Sequence, residues 1–435
     1  MKLSKIQIAF IGIVLLILLS VVLLFTGVIP GLRSTTQDKS VRGAITVWGV
    51  FDDDKEIGET LITDFRAAYP GVSVQYLQLD ERSYEQDLVN ALAAGEGPDV
   101  FMIHNTWLSK HKPKIRPLTT ITSQTFASLF PQVATNDFVA DSLVYASPLY
   151  IDSLALFYNQ TMLDAAGIAQ PPKTWNDLIT IIPRLRRVDE RGRIEQAAVA
   201  IGGSEDNINQ ATDLLSILMF QEGASMINNA GTSADFSQSG GTKALDFYTS
   251  FANPRNPQYT WNPDYFYSLD GFVQEKIAMI FNYGYQAEVL RERNPFLNFV
   301  VTPMLQQNLE DQAINYADYW GFAVAKSSPQ PAVAELFTTF TTMNEGPIGN
   351  YLLRTDRSPA LRSVISRSTN SENIGVFATQ ALTAQSWPQP DMAAVENIFS
   401  EAIDLVVGGK LPTNRAIRQA EEEITQLLQK NANRE

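Results

Sequence analysis

Residues 44 to 103 alternate between strand and helix signals, and this alternation restricts the fold of the chain more than any other feature. Three short β-favouring runs, "AITVW", "VSVQYLQL" and "DVFMI", are separated by two segments whose apolar residues recur at helical spacing, such as Ile57, Leu61 and Phe65. The order strand–helix–strand–helix–strand over about sixty residues is typical of βαβ units and a parallel sheet. The sequence therefore predicts an α/β fold.

A second α/β region continues to the carboxyl terminus. It includes a helix "TWNDLITIIPRLRRV" capped by Thr174, a hairpin in "DERGRIEQAAVAIGG", and two amphipathic helices in the tail. A chain of 435 residues suits two domains, because single hydrophobic cores stop growing at roughly 250–300 residues. No break in composition separates the two regions, which favours two lobes that share strands through several crossings.

The amino terminus predicts a membrane anchor. Residues 6–28, "IQIAFIGIVLLILLSVVLLFTGV", carry no charge, and a helix needs about 20 such residues to cross a bilayer. Lys2 and Lys5 precede this run and favour a cytoplasmic start. A cleaved secretory signal has an apolar region of about 7–15 residues and a small-x-small site, which "FTGVIPGLRS" lacks. We expect a cytoplasmic start (1–5), an uncleaved single-pass transmembrane helix (6–28), a tether (29–43), and the bulk of the chain on the extracytoplasmic side.

Composition excludes several classes of function. The chain has 33 Lys+Arg against 47 Asp+Glu, a net charge of −14, which argues against a nucleic-acid-binding protein. It has no cysteine, so disulfides, thiolate metal sites and a lipoprotein anchor are excluded. Its two histidines, His104 and His111, do not suit a multi-histidine metal site. The glycines of "AAGEGPD" are expected to end a helix and not to cradle a phosphate, so we expect neither a metal nor another cofactor.

One segment predicts a binding site directly. Residues 95 to 108, "GEGPDVFMIHNTWL", place a turn, a buried strand and then His104, Asn105, Thr106 and Trp107 in succession. These four residues follow the carboxyl end of the strand, the edge at which open α/β sheets bind ligands. His104 is compatible with a base or ligand role, and a single histidine at a strand end is more often a hydrogen-bonded cleft or surface residue.

The order of the motifs resembles a known family. "GEGPDVFMIHNTW", "PLYIDSLALFYNQTMLDAAGI", "AMIFNYGYQAEV" and "YWGFAVAKSSPQPAVAELF" are similar, in this order, to segments of family 1 extracellular solute-binding proteins. These are the maltose-binding-protein-like receptors of ABC importers. The resemblance implies a periplasmic-binding-protein-like fold, in which two α/β lobes joined by a hinge close on a ligand. We expect an amino-terminal lobe of 44–147 plus 315–357 and a carboxyl-terminal lobe of 148–314 plus 358–435.

The resemblance also implies which segments face the cleft. They are the end of the first strand, the loop after "PDVFMI", the "PLYIDSLALFYN" segment, "NYGY", and the segment returning through the hinge. The ligand-binding residues that they offer are Trp48, Phe51, Asp52, Asp53, Asn105, Thr106, Trp107, Asp152, Tyr285, Tyr319 and Trp320. Tyr285 falls where "NGPW" often supplies a sugar-stacking tryptophan, so the aromatic platform is kept while the maltodextrin-type subsite is altered.

Each of these groups has a structural alternative. The aromatic residues suit either stacking on a sugar or packing in a core. Asp52 and Asp53 suit either the orientation of hydroxyls or an amine, or the amino terminus of a helix, where the dipole favours acidic residues. A glycosidase would need two carboxyls roughly 5–5.5 Å or 6.5–9.5 Å apart, which nothing in the sequence spacing demands. We therefore expect a binding protein without a catalytic site.

The sequence predicts capture of a small polar solute, most simply a sugar or oligosaccharide, by hinge closure and its delivery to an ABC permease. A monomer is expected. Two alternatives stay open. The first is a polyamine or other small cationic solute, with which the net charge of −14 is compatible. The second is a ligand-sensing surface protein that passes nothing to a transporter.

Overall fold

The computed structural model describes residues 40–372 and 374–432. The predicted anchor (6–28), the cytoplasmic start and most of the tether lie outside the described residues. Among the helices of the described ranges, none is both long and apolar enough to cross a bilayer.

The described chain alternates strands and helices as predicted. The strands are β1 (Gly43–Gly49), β2 (Val72–Gln78), β3 (Val100–His104), β4 (Ile115–Arg116), β5 (Val139–Ala140), β6 (Leu143–Val144), β7 (Ala146–Pro148), β8 (Asp152–Ser153), β9 (Ala155–Asn159), β10 (Arg187–Val188), β11 (Ile194–Gln196), β12 (Met279–Asn282), β13 (Phe299–Thr302), β14 (Asn315–Asp318), β15 (Trp320–Ala325) and β16 (Ala384–Gln385).

The helices connect these strands and cover the sheets. They are Asp54–Ile62 (a π-helix), Thr63–Ala68, Glu81–Ala94, Leu108–His111, Ser123–Leu129, Gln132–Phe138, Gln160–Ala165, Trp175–Leu185, Ala211–Gln221, Ser239–Ser250, Ser268–Val273, Gln286–Arg293, Pro331–Met343, Glu345–Thr355, Arg362–Ser368, Gly375–Gln380, Met392–Val407 and Thr413–Ala432, with short 3₁₀ turns at Asn105–Trp107 and Lys112–Lys114.

The larger sheet is parallel only in its first part. Its order is β2-β1-β3-β15-β4, with β7 also paired to β15. β1 runs parallel to β2 and β3, as the βαβ pattern predicts. β15 is antiparallel to β3, β4 and β7, because it enters the sheet after the chain has crossed from the other lobe. The prediction of a parallel sheet is therefore correct for the first three strands and wrong for the sheet as a whole.

The second lobe has its own small sheet and a helical core. β9 lies between β12 and β13, antiparallel to both. β10 and β11 form a hairpin around the predicted turn, but its first strand, Arg187–Val188, lies in the segment predicted as the end of the preceding helix, which ends at Leu185. Thr174 caps the helix Trp175–Leu185 as predicted, in a capping box with Asp177. The helix Ala211–Gln221 is almost wholly buried.

Two clusters of buried hydrophobic residues correspond to the two lobes. The first draws mainly on residues 45–151 and 317–365, and the second mainly on 154–305 and 387–428. Ala360, Leu361 and Ile365 pack in the first cluster, although the predicted boundaries give them to the second lobe. Those boundaries otherwise remain a prediction.

A small three-stranded sheet lies where the chain crosses between the clusters. β14 pairs with β8, which places Asp318 beside Asp152, and with β16, which places Tyr316 beside Gln385. We call β8, β14 and β16 the hinge sheet. All three crossings meet here, so a rotation of one lobe against the other concentrates on these few residues.

Candidate ligand-binding cleft

Two adjoining cavities lie beside the hinge sheet. The larger has a volume of about 210 Å³ and the smaller about 180 Å³. Glu81, Tyr285, Asp318 and Trp320 line both cavities, so we treat the two as one cleft. The larger cavity is also lined by His104, Thr106, Gln210, Thr212, Asp213, Ser216, Tyr316, Ala317, Gln389, Met392, Val395, Glu396 and Phe399, and the smaller by Phe51, Tyr150, Asp152 and Arg357.

The first-lobe wall follows from the strand register. β3 and β15 pair so that His104 stands opposite Trp320, and both residues therefore reach the same edge of the sheet. Trp320 is only 6% exposed, because its ring packs against Trp107 at 5.0 Å and Phe51 at 5.2 Å between centroids. This wall is an interlocked aromatic cluster that presents one edge to the cleft.

His104 joins this wall to the hinge sheet. Its Nδ1 accepts from the Thr106 amide at 3.4 Å, so we assign the ring proton to Nε2, which donates to Asp318 Oδ1 at 2.5 Å. The Thr106 hydroxyl is also within hydrogen-bonding distance of Nδ1, at 2.8 Å. Asp318 itself keeps 31% of its side chain exposed. The histidine thus orients an acidic group that faces the cleft.

The second-lobe wall carries an open aromatic ring. Tyr285 is 45% exposed and stacks on Tyr283, with 6.2 Å between centroids and 16° between planes. Gln210 donates to the Tyr285 hydroxyl at 3.3 Å, and the Tyr283 hydroxyl donates to Asp213 Oδ2 at 2.7 Å. An aromatic face with polar neighbours suits the C–H surface and the hydroxyls of a sugar ring.

Asp152 fixes the Tyr285 loop to the hinge sheet. Its carboxylate accepts from the amides of Ser153 at 2.8 Å, Gly284 at 2.9 Å and Tyr285 at 3.2 Å. Burial raises the pKa of Asp152 to about 6 despite these three hydrogen bonds. A side chain at Gly284 would bring its Cβ within 3.1 Å of Asp152 Oδ1, so glycine permits this close approach.

Acidic groups dominate the electrostatics of the cleft. Its described lining includes five carboxylates, a single arginine and no lysine; the carboxylates are Glu81, Asp152, Asp213, Asp318 and Glu396. The arginine, Arg357, is paired with Asp52 at 2.8 Å and covers the ring of Tyr150 at 4.5 Å. The carboxylate of Asp52, which does not line the cleft, therefore largely neutralises the charge of Arg357.

The acidic groups also act on one another. Burial, followed by the charge of Asp318, raises the pKa of Asp213 well above its ordinary value. The same two causes, in the same order, raise the pKa of Glu81, and burial raises that of Glu396. The charge of Asp318 thus adds to the effect of burial on two neighbouring carboxyl groups of the cleft.

Five of the eleven predicted binding residues line the cleft. They are Phe51, Thr106, Asp152, Tyr285 and Trp320. Ligand contact by these five residues remains a prediction. Ligand contact by the other six also remains a prediction.

The other six do not line the cleft, and each has a structural partner or packing role. Trp107 is 6% exposed and packs on Trp320, and partly buried Trp48 packs against the first-lobe core. Asn105 and Tyr319 both donate to the buried Asp137 carboxylate, at 3.1 Å and 2.6 Å.

The two aspartates of this group also have structural partners. Asp52 is fully buried, where it accepts from the Tyr351 hydroxyl at 2.6 Å besides pairing with Arg357. Asp53 caps the helix Asp54–Ile62 by accepting from the amides of Lys55 and Glu56. The position of Asp53 agrees with the helix amino terminus named as its alternative, whereas Asp52 forms a buried ion pair that the sequence analysis did not name.

Several lining residues had no usable signal in the sequence. Glu81 and Asp213 lie in the first turns of helices, where acidic residues are ordinary. Glu396 lies within a long amphipathic helix and resembles any solvent-facing glutamate. Asp318 had a signal, because it directly precedes the predicted pair Tyr319 and Trp320.

Comparisons with known proteins agree with this architecture. The sequence model of one family, described as bacterial extracellular solute-binding protein, matches residues 52–346. A binding protein of Brucella abortus is 23% identical over 243 residues, covering 54% of this chain and 56% of that protein, so the chain spans about half the length of this relative. A multiple sugar-binding protein of Streptococcus mutans is 21% identical over 291 residues, covering 64% and 66% of the two chains.

A solved structure extends the comparison to the whole fold. The cyclic alpha-maltosyl-1,6-maltose binding protein from Arthrobacter globiformis has a TM-score of 0.75 and 14% identity, covering 90% of this chain and 100% of that one. This likeness confirms the predicted two-lobe α/β architecture.

Proposed function

Because this chain belongs to the bacterial extracellular solute-binding proteins, we propose that it captures a saccharide between its lobes for an ABC-type importer. Members of this family bind solutes and are not enzymes, and the family name places the binding domain outside the cytoplasm. The proposal rests above all on the cleft, whose walls come from both lobes and meet at the hinge sheet.

The chemistry of the lining supports a saccharide. The exposed ring of Tyr285 offers an apolar face, and Thr106, Gln210, Thr212 and Ser216 offer hydroxyl and amide groups around it. Sugars need both, because their C–H faces are apolar while their rims are hydrogen-bonding. The relative from Streptococcus mutans is named for sugar binding, which agrees with this proposal.

Closure of the lobes about the hinge sheet would couple solute binding to the conformational change. A solute that touches Trp320 on one wall and Tyr285 on the other gains its full set of contacts only when the lobes approach. A ligand shifts an equilibrium by its difference in affinity for the two states, so such a solute favours the closed state. A permease can then distinguish loaded from empty protein by shape.

The amino terminus would keep the protein near its permease. We include in the proposal that residues 6–28 form an uncleaved helix in the cell membrane, joined to the binding domain by the tether. Tethering raises the effective concentration of the binding domain at the membrane. Mass spectrometry of the mature protein tests this part: a chain that starts near residue 31 would contradict it.

A thermal-shift screen of the full-length chain in mild detergent tests the proposed ligand class. The panel contains sugars, oligosaccharides, polyols, polyamines and amino acids. A ligand at a hundred times its dissociation constant stabilises the folded state by about 2.7 kcal/mol, which a melting curve detects. We expect stabilisation by at least one saccharide, whereas stabilisation by none of them would overturn the proposal.

A pull-down from membranes tests the transport partner. The full-length chain is expected to recover the permease subunits of an ABC importer. Recovery of no permease would favour a surface protein that senses a ligand and transports nothing.

A further inference from the structure

The described lining of the cleft holds five carboxyl groups against one arginine. We propose that it contains a subsite for a protonated amino group borne by the saccharide, formed by Asp318 and Glu81 opposite Asp213. The proposed ligand is therefore an amino sugar or an oligosaccharide that contains one. This inference rests on the proposed saccharide-binding function and names its substrate class more narrowly.

The cleft indicates where a solute binds, and the carboxylates that line it indicate the charge that the solute carries. Asp318 and Glu81 line both cavities, next to the two aromatic residues Tyr285 and Trp320. A sugar ring held between these aromatics would bring a substituent within reach of the acidic groups.

Asp318 has no structural role that would explain a charge at this position. It ends the strand β14, so the helix dipole does not account for it. Its one hydrogen bond among the described residues comes from His104, which needs no charge on the acceptor. An asparagine could accept the same hydrogen bond from His104. The negative charge of Asp318 is therefore not needed for this bond and is available to a ligand.

Two basic residues of the described chain in this region have partners outside the cleft, whereas His104 and Arg82 lower the pKa of Glu81. Arg357 is paired with Asp52, and Lys110 lies between Glu85 at 2.8 Å and Asp391 at 2.9 Å. Burial is the main cause of the raised pKa of Glu81 and Asp213, and the charge of Asp318 adds to it at both residues. A cation supplied by the ligand beside Asp318 and Glu81 would offset the charge of both carboxylates.

The geometry favours an organic cation over a metal ion. Within the described ranges, no three side chains of histidine, cysteine, aspartate or glutamate form a group able to hold a metal. An ammonium group suits separated acceptors better, because it donates up to three hydrogen bonds in different directions. The aromatic residues suit a ligand whose remaining part is a ring, and they do not suit a linear amine as well.

Titration calorimetry on the full-length chain tests the subsite with matched ligands. Glucosamine oligosaccharides, their N-acetylated forms and the corresponding β-1,4-linked glucose oligosaccharides share one backbone and differ in the charged amine. Malto-oligosaccharides and spermidine complete the set. We expect glucosamine compounds to bind at least tenfold more tightly than the neutral compounds, and added salt to reduce this preference.

Three variants locate the effect. Asp318→Asn is expected to remove most of the preference for the glucosamine compounds over the neutral compounds. Glu81→Gln is expected to reduce the preference by a smaller factor, because Glu81 is exposed at the rim. Glu96→Gln is the matched control, since Glu96 is exposed just beyond the other end of the same helix and about 20 Å away along its axis.

The outcomes separate this inference from the proposed function. Neutral saccharides that bind at least as tightly as the glucosamine compounds would overturn the amine subsite and leave saccharide binding standing. Binding of spermidine alone, or of no saccharide, would overturn both. A preference that persists in Asp318→Asn would overturn the placement of the subsite.

Discussion

The two walls of the cleft are built differently although they face the same solute. On the first-lobe wall, Trp320 is 6% exposed and belongs to a cluster of interlocked rings. On the second-lobe wall, Tyr285 is 45% exposed and rests on a single aromatic neighbour. One wall is thus part of a hydrophobic core, whereas the other is a surface held in place by a few hydrogen bonds. We infer that first-lobe substitutions affect folding first and second-lobe substitutions affect binding first.

Trp320→Ala is the strongest test of this comparison. The substitution removes a large ring from contact with Trp107, Phe51 and Tyr84, so we expect the free energy of unfolding to fall by about 3–5 kcal/mol. Urea unfolding of the full-length chain measures the loss. Trp320→Phe keeps an aromatic ring and should lose much less. A loss below about 1 kcal/mol in Trp320→Ala would mean that the first-lobe wall is not a core element.

The carboxylate of Glu205 predicts a pH dependence that belongs to the second lobe. It accepts from the amide of Thr212 at 2.8 Å and that of Gln210 at 3.1 Å, at the start of the helix Ala211–Gln221. Burial raises its pKa to about 7, from an ordinary value of 4.5. Because the folded state binds this proton more tightly, the stabilisation is complete below pH 4.5 and is lost as pH rises towards about 7.

Melting curves between about pH 4.5 and 8 measure the contribution of Glu205. We expect it to be about 1–3 kcal/mol over this range, on the scale of 1.36 kcal/mol for each pKa unit. Glu205→Gln removes the titrating group and should flatten this part of the profile, although it keeps an oxygen acceptor for only one of the two amides, because these donate to different carboxylate oxygens. Other buried acids, such as Asp152 and Asp137, titrate near pH 6 and remain in both proteins. Identical profiles for the two proteins would show that Glu205 is not the titrating group.

The sequence predicted the elements of both walls better than it predicted which side chains face the solute. The βαβ pattern, the hairpin turn and the Thr174 cap depend on neighbouring residues, and all three are confirmed. The antiparallel entry of β15 depends on a chain crossing from the other lobe, which no local pattern records.

Local sequence patterns also do not predict which single residues of the site face the solute. Trp107 and Thr106 are adjacent in a polar tip, yet one packs in the core and the other lines the cleft. Strand ends predict the position of a site but not the direction of each side chain, which depends on the ring packed beside it. Asp213 shows the converse case: only the fold brings the first turn of its helix to the hinge sheet.

Tyr285→Ala tests the other side of the comparison. The ring is 45% exposed and contacts one aromatic neighbour, so we expect the free energy of unfolding to change by less than about 1 kcal/mol. We expect the affinity for a bound saccharide to fall at least tenfold, which corresponds to about 1.4 kcal/mol. Calorimetry of both proteins measures the difference, and Tyr285→Trp serves as the control that keeps a stacking surface. Unchanged affinity in the alanine variant would remove Tyr285 from the binding wall.

Asp53→Ala applies the comparison to a residue that the sequence left undecided. Asp53 lies on the first-lobe side of the cleft but caps a helix, with its side chain accepting from Lys55 N at 2.7 Å and Glu56 N at 3.1 Å. If first-lobe residues contribute to stability more than to binding, the substitution should lower the free energy of unfolding by about 1 kcal/mol and leave the affinity for a saccharide unchanged. Asp53→Asn is the informative control, because asparagine caps a helix as well as aspartate but removes the charge. A loss of affinity in both variants without a loss of stability would make Asp53 a ligand-binding residue, and the first-lobe wall would then extend beyond its aromatic cluster.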